Sequence, residues 1–341
     1  MMRSTMEIQE SIATIRATYA SLRDKHPLLM AAAVLPTAPV KEVARLVFDR
    51  AQRFRSSIAF WAHPLCGKSS CIYALQKLAP IQYPGSAFVI YEPSSKEVAA
   101  EGALIEDLLS IIDFEPRVLR SLAGKRDQLL RALYAMSISG RHLFLVIDEA
   151  QNLHVKDLGW LKRVVNWLNT REIKVTVVLF GQSQLCTMHQ RFMAEMPDLT
   201  IRFMAELIEF RSLQDAADLR MVLKSCDDET EYPRGSGWSY TQYLWPTAHA
   251  NGFRLANCAT DMYNAFRAQS AGTVDHEGIS MQWVAEALML VGQDGESCDV
   301  EGLKIPRETW ERAIVDSGYR SRTPSALAAT AMGRGRARRS S

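Results

Sequence analysis

Two stretches of the chain, His142–Ile147 (HLFLVI) and Lys174–Phe180 (KVTVVLF), are almost unbroken in apolar residues. A strand with one wet face alternates apolar and polar side chains, so an unbroken run signals a strand buried on both faces. Such a strand needs helices above and below it. The rest of the chain supplies them: Ser57–Trp61 and Ala87–Tyr91 add two shorter strand candidates. Helical spacing of apolar residues is read over 6–25, 37–54, 69–78, 96–112, 117–136 and around 158–168. Strand and helix alternate, which predicts an α/β fold, a parallel sheet flanked by helices. After about Ser212 the strand pattern stops. Residues 213–225, 253–266 and 280–291 read as helices, and 226–247 as an irregular stretch rich in Gly, Pro and aromatics. The expected organisation is an N-terminal helical segment (1–55), an α/β core (56–211), a small helical lid domain (212–295) and a C-terminal extension (296–341). The extension ends in GRGRARRSS and is expected to be disordered from Ser321 onward.

Composition excludes several classes. With 341 residues, 48% hydrophobic and 23% charged, the chain reads as an ordinary soluble globular protein. A net charge of +2 gives no overall nucleic-acid signal, so any such signal must be local. The cysteines at 66, 71, 186, 226, 258 and 298 show neither a C-x-x-C pair nor zinc spacing, and are expected to be reduced thiols in the cytoplasm. The run LLMAAAVL is too short to cross a membrane, and MMRSTMEIQE lacks a signal-peptide pattern. No membrane partner is expected.

Between the first strand candidate and a helix lies WAHPLCGKSS. A phosphate-binding Walker A loop reads G-x-x-x-x-G-K-[S/T]. Gly67, Lys68 and Ser69 supply its end, but Ala62 stands where the first glycine belongs. The free N–H groups of a helix N-terminus favour phosphate. Lys68 would reach the β- and γ-phosphates, and the Ser69 hydroxyl would bind Mg²⁺. Ala62, His63, Pro64, Leu65, Cys66, Gly67, Lys68, Ser69 and Ser70 form the expected ATP cradle. LFLVIDEAQ then delivers two acids at a strand end. Asp148 would join Ser69 in the Mg²⁺ shell, and Glu149 would polarise the attacking water. The plainer alternative is a pair of solvated loop carboxylates. Gln182, ending the last apolar run, is placed to orient water, or is a turn residue of GQSQ. Arg254, in Gly252-Phe253-Arg254, is a candidate for the γ-phosphate, or a surface arginine. The GKS loop and the Asp148-Glu149 pair, in this order and each at a strand end, predict an ATPase.

WAHPLCGKSSCI, LVIDEAQNL, VTVVLFGQSQL and NGFRLANC together resemble the AAA+ ATPases of transposition, the TnsC/TniB kind, over about residues 37–291. The resemblance implies ATP bound between neighbouring subunits of a homo-oligomer, as rings or filaments on double-stranded DNA. It also implies a link between a transposase and a target-selection protein of TniQ/TnsD type, including RNA-guided complexes. A neighbouring subunit's arginine would complete the site: Arg202 in PDLTIRF is the first choice and Arg191 the reserve, unless Arg202 is an intramolecular salt-bridge residue. Secretion-type ATPases share part of the pattern but are expected to carry a membrane span or a cell-wall-binding module. Replication initiators are expected to carry a winged helix, for which the residues after Val291, read mostly as tail, are too few. A nucleotide-stabilised scaffold that does not hydrolyse ATP is a further alternative, disfavoured by the presence of both Asp148 and Glu149. The departures at Ala62 and Leu65, and a Gln at position 182 where Asn or Thr is common, are expected to leave ATP binding intact and to slow turnover.

The same resemblance places DNA against segments after the second strand. Here these are Ser94–Lys96 and RVLRSLAGKR, whose cations Lys96, Arg117, Arg120, Lys125 and Arg126 would contact phosphates. Expected within one or two helical turns, Arg117 to Arg126 would otherwise be an ordinary solvated face. The arginine-rich tail would add nonspecific DNA affinity, dock a partner, or do neither.

Overall fold

The computed structural model describes residues 5–53, 57–95, 98–270, 278–295 and 297–319. They fold as two compact units. The core unit comprises Val40–Pro64 and Lys68–Phe210. The helical unit gathers the described residues up to Pro39, Leu65–Gly67, and those from Arg211 onward.

In the core unit, β1 (Ile58–Ala62), β2 (Ala87–Tyr91), β3 (His142–Ile147), β4 (Lys174–Gln182) and β5 (Leu207–Glu209) form one parallel sheet in the order β2-β3-β4-β1-β5. Every residue of β3 is buried, and β4 is buried from Val175 to Gly181. Alternation across these strands divides the core. Leu143, Leu145, Ile147, Val175, Val177 and Leu179 join a cluster with Leu158, Leu161, Leu185, Phe192 and Phe203. These partners come from α6 (Val155–Asn169), α7 (Gln184–Glu195) and α8 (Pro197–Met204), and the same cluster takes in α4 (Glu101–Ile111) and α5 (Leu122–Ser137). The opposite face stacks Phe60 on Phe180 and sets Phe144 against Phe48 of α2 (Ala38–Gln52) and Tyr83, which follows α3 (Lys68–Gln82). The two unbroken runs are therefore buried because helices cover both faces.

The helical unit contains α1 (Thr5–Leu22), α9 (Ala216–Asp228), α10 (Tyr240–Leu244), α11 (Pro246–Ala250), α12 (Ala259–Gln269), α13 (Met281–Gln293) and α14 (Arg307–Asp316). Its core holds Trp245, Trp283, Trp310, Tyr243 and Phe266, with Ile15 of α1 and Leu28 packed into it.

Several expectations need correction. The strands do end before Ser212, but a fifth one, β5, absent from the strand candidates, adds three edge residues. The stretch 226–247, expected to be irregular, contains α10 and the start of α11. Residues after Val291 are not mostly tail: α14 buries Trp310, Ala313 and Ile314. The helix expected from Arg117 begins at Leu122. Ser121 caps it, its hydroxyl accepting from the Gly124 N–H. Gln128 folds back, accepting from the Leu119 N–H and donating to the Arg117 carbonyl, which holds 117–121 outside the helix. Phe54, Lys96 and the tail from Ser321 lie outside the described residues. No described helix is long and apolar enough to cross a membrane.

Candidate active site

β4 lies between β1 and β3, with Ala62 opposite Gln182 and Ile147 opposite Leu179. That register brings three carboxyl ends of the sheet together: the start of the loop at His63, the acids after β3, and Gln182. In open parallel α/β sheets the crevice at the strands' carboxyl ends is where ligands bind.

The loop from β1 runs directly into α3, whose first residue is Lys68. Ser69 and Ser70 follow in its first turn, both exposed. Two loop residues take positive φ, Leu65 at +68° and Gly67 at +94°. Gly67 supplies the conformation that other residues adopt at a cost. Leu65 adopts it without that freedom, a strain of about 1–2 kcal/mol. Ala62, in contrast, is a paired, buried strand residue outside the positive-φ set, so alanine fits there. Within the helical unit, Cys66 Sγ lies 3.1 Å from Ser212 Oγ.

At the other strand ends a polar cluster converges on Glu149. Its Oε1 lies 3.2 Å from Lys68 Nζ. Its Oε2 accepts a 2.9 Å bond from Gln182 Nε2 and a short bond from Gln151 Nε2. Gln151 Oε1 in turn accepts from the Gln182 N–H at 3.0 Å. Glu149 has a left-handed backbone, φ +49°, and its N–H donates to Asp148 Oδ1 at 2.9 Å. Left-handed non-glycine residues cluster at functional sites, where surrounding structure holds the strain.

Burial pushes the Glu149 carboxyl up, but the Gln151 hydrogen bond, the Lys68 charge and the Gln182 hydrogen bond outweigh it and hold the carboxyl below its ordinary range. Burial raises the Asp148 carboxyl, against the opposing pull of the Glu149 N–H and Lys68. The two neighbouring acids therefore sit in different electrostatic environments, as separate roles require. Gln151 was not among the residues singled out from the sequence. Its signal was a polar side chain two positions beyond Glu149.

The remaining candidates fall in both units. In the core unit, Arg202 Nη2 donates to Asn166 Oδ1 at 2.6 Å, and exposed Arg191 pairs with Glu195 at 3.8 Å along α7. In the helical unit, Arg254 Nη1 donates to the carbonyls of His249 (3.0 Å) and Phe253 (2.7 Å). Of the cations assigned to DNA, Lys125 is held by Glu106 at 2.5 Å and Arg126 is bidentate on Glu101. Arg117 and Arg120 are exposed in the segment before α5.

Residues 51–188 match the family model described as an AAA domain. Among solved structures, the Aeropyrum pernix ORC2 protein in ADPNP-ADP complexes is similar, with 12% identity and a TM-score of 0.53. That match covers 89% of this chain and 74% of that one. The Aeropyrum pernix ORC1 protein in complex with DNA is similar over 85% of this chain and 69% of that one, with 15% identity and a TM-score of 0.45. At such identity the first likeness is one of fold: a parallel five-stranded sheet flanked by helices, matching AAA+ ATPase structures. No curated protein matches the chain.

Proposed function

We propose that this chain is a Mg²⁺-dependent ATPase that oligomerises on double-stranded DNA and regulates transposition, linking a target-selection factor to a transposase. The observation that carries the ATPase reading is the convergence of Lys68, Asp148, Glu149 and Gln182 at adjacent strand ends. The donor set fits a triphosphate and its metal: an ammonium on the first turn of a helix, a neighbouring serine hydroxyl, and an aspartate next in sequence to a second carboxylate. Lys68 would bind phosphate oxygens, and Ser69 and Asp148 would hold Mg²⁺. The metal, when bound, neutralises charge on the phosphates. Glu149, kept ionised by its donors, would take a proton from water at its carboxylate, and Gln182 would orient that water. Arg202, with Arg191 in reserve, keeps the role that the resemblance implies, and Arg254 keeps the γ-phosphate role read from its own stretch of sequence.

The transposition reading is supported by the motifs IDEAQNL and VVLFGQSQL together with NGFRLANC. Titration with Mg-ATP and electron microscopy with ATP and duplex DNA test it. Saturable binding and rings or filaments are expected; absent affinity, or an unaltered monomer, would overturn it.

A further inference from the structure

The turn after β3 is tied to the end of β4 by one side chain. Gln151 accepts from the Gln182 main-chain N–H and donates to Glu149 Oε2. The main-chain contact fixes which way the amide faces. An amide oxygen must meet the N–H, so the NH₂ group must point at the carboxylate. Space around the amide is tight, since a Cβ on Gly181 would sit 2.8 Å from Gln151 Oε1. The three donors to Glu149 are not equivalent. Lys68 and Gln182 are also the groups assigned to phosphate and water, so either can be drawn off. Gln151 has no such second duty.

We propose that Gln151 is a positioning residue: it holds the Glu149 carboxylate in register with the end of β4 while Lys68 and Gln182 engage other partners. The proposal rests on the ATPase reading, and deepens it. Its side-chain bonds run to Glu149 and to the Gln182 main chain, so it acts through Glu149. It donates without carrying charge, so it fixes the carboxylate's position and leaves it an anion.

Gln151→Glu separates positioning from ordinary scaffolding. The new carboxylate keeps an oxygen for the Gln182 N–H but offers Glu149 a like charge and no donor. If Gln151 merely fastened the turn to β4, Gln151→Glu would behave like the wild type. Positioning predicts that kcat for ATP falls about 10- to 100-fold, with the ATP dissociation constant within about threefold of wild type. Gln151→Ala, which loses both contacts, is expected to fall into the same range. A second readout needs no nucleotide. In thermal melting of the nucleotide-free protein, Gln151→Glu should lower Tm, and adding Glu149→Gln should recover most of the loss by restoring an amide–carboxylate pair. A wild-type-like kcat in Gln151→Glu, or a Tm indifferent to the added Glu149→Gln, overturns the proposal. A wild-type protein that binds no ATP overturns the ATPase reading instead, and leaves the melting cycle to decide the contact by itself.

Discussion

Lys68 Nζ and Glu149 Oε1 stand 3.2 Å apart, with the lysine side chain only 11% exposed and the glutamate 23%. The cation assigned to phosphate and the carboxylate assigned to water thus neutralise each other across α3 and β3. Phosphate binding must compete with this pair. Glu149→Gln should therefore have two separable effects. Hydrolysis should fall by about 10²- to 10⁴-fold, the usual contribution of a general base. Nucleotide affinity should rise by up to about fivefold, because a partly exposed ion pair is worth about 1 kcal/mol or less. Phosphate release and titration with a fluorescent ATP analogue measure the two. Unchanged hydrolysis would remove Glu149 from the chemistry.

The two glycine positions of the loop should respond in opposite ways. Gly67 sits at φ +94°, a conformation that strains any side chain, so Gly67→Ala is expected to distort the entry into α3 and weaken ATP binding at least 10-fold. Ala62→Gly lies in a paired strand residue and should leave ATP affinity within about threefold, while lowering stability by about 0.5–1 kcal/mol. Isothermal titration and urea unfolding check both. Comparable losses of affinity in the two variants would show that the missing first glycine is a defect of the loop.

The parts legible in the sequence are those that burial dictates. β2 and β3 have the bounds read from their apolar runs; β3 is buried along its whole length, whereas β2 alternates buried and half-buried residues. β5 was passed over for the opposite reason: Leu207–Glu209 is a short edge strand without a fully buried residue, and only pairing with β1 defines it. Residues 117–121 carry helical spacing but follow side-chain bonds from Ser121 and Gln128, which outweigh local propensity. The candidate site divides the same way. Lys68, Asp148 and Glu149 stand in recognisable order along the chain, whereas the role of Gln151 depends on a contact across to β4 that spacing alone does not reveal.

His142 should make the core unit acid-sensitive. Its ring stacks on Phe144 at 4.4 Å, lies beside Tyr83 at 4.9 Å, and pairs through Nε2 with Thr176 Oγ1 at 2.8 Å. Burial, assisted by the Lys174 charge, lowers its pKa from 6.5 to about 4. The unfolded chain therefore binds the proton more readily than the native one. The stability this confers is complete above pH 6.5 and is lost progressively as pH falls through the interval toward 4. Urea midpoints measured from about pH 7.5 to 4.5 should decline, and His142→Gln, which cannot charge, should decline less steeply. Parallel declines would remove His142 as a source of the sensitivity.

The four described cations assigned to DNA should not contribute equally. Lys125 and Arg126 are already matched by Glu106 and Glu101, and Arg163 adds a second cation 3.7 Å from Glu101. Withdrawing either from its carboxylate to meet a phosphate exchanges one ion pair for another, which leaves little net gain. Arg117 and Arg120 are exposed on a segment that Gln128 fastens to α5, so they can meet phosphates without that exchange. Charge reversal at Arg117 and Arg120 together should therefore weaken duplex binding more than reversal at Lys125. Each lost phosphate contact should reduce the slope of log K against log salt by about 0.9. Fluorescence anisotropy with duplex DNA across a salt series reads both quantities. An unchanged slope in the Arg117→Glu/Arg120→Glu variant would take this segment out of the DNA-binding surface. A larger loss at Lys125 would mean that the carboxylates at 101 and 106 release their partners when DNA arrives.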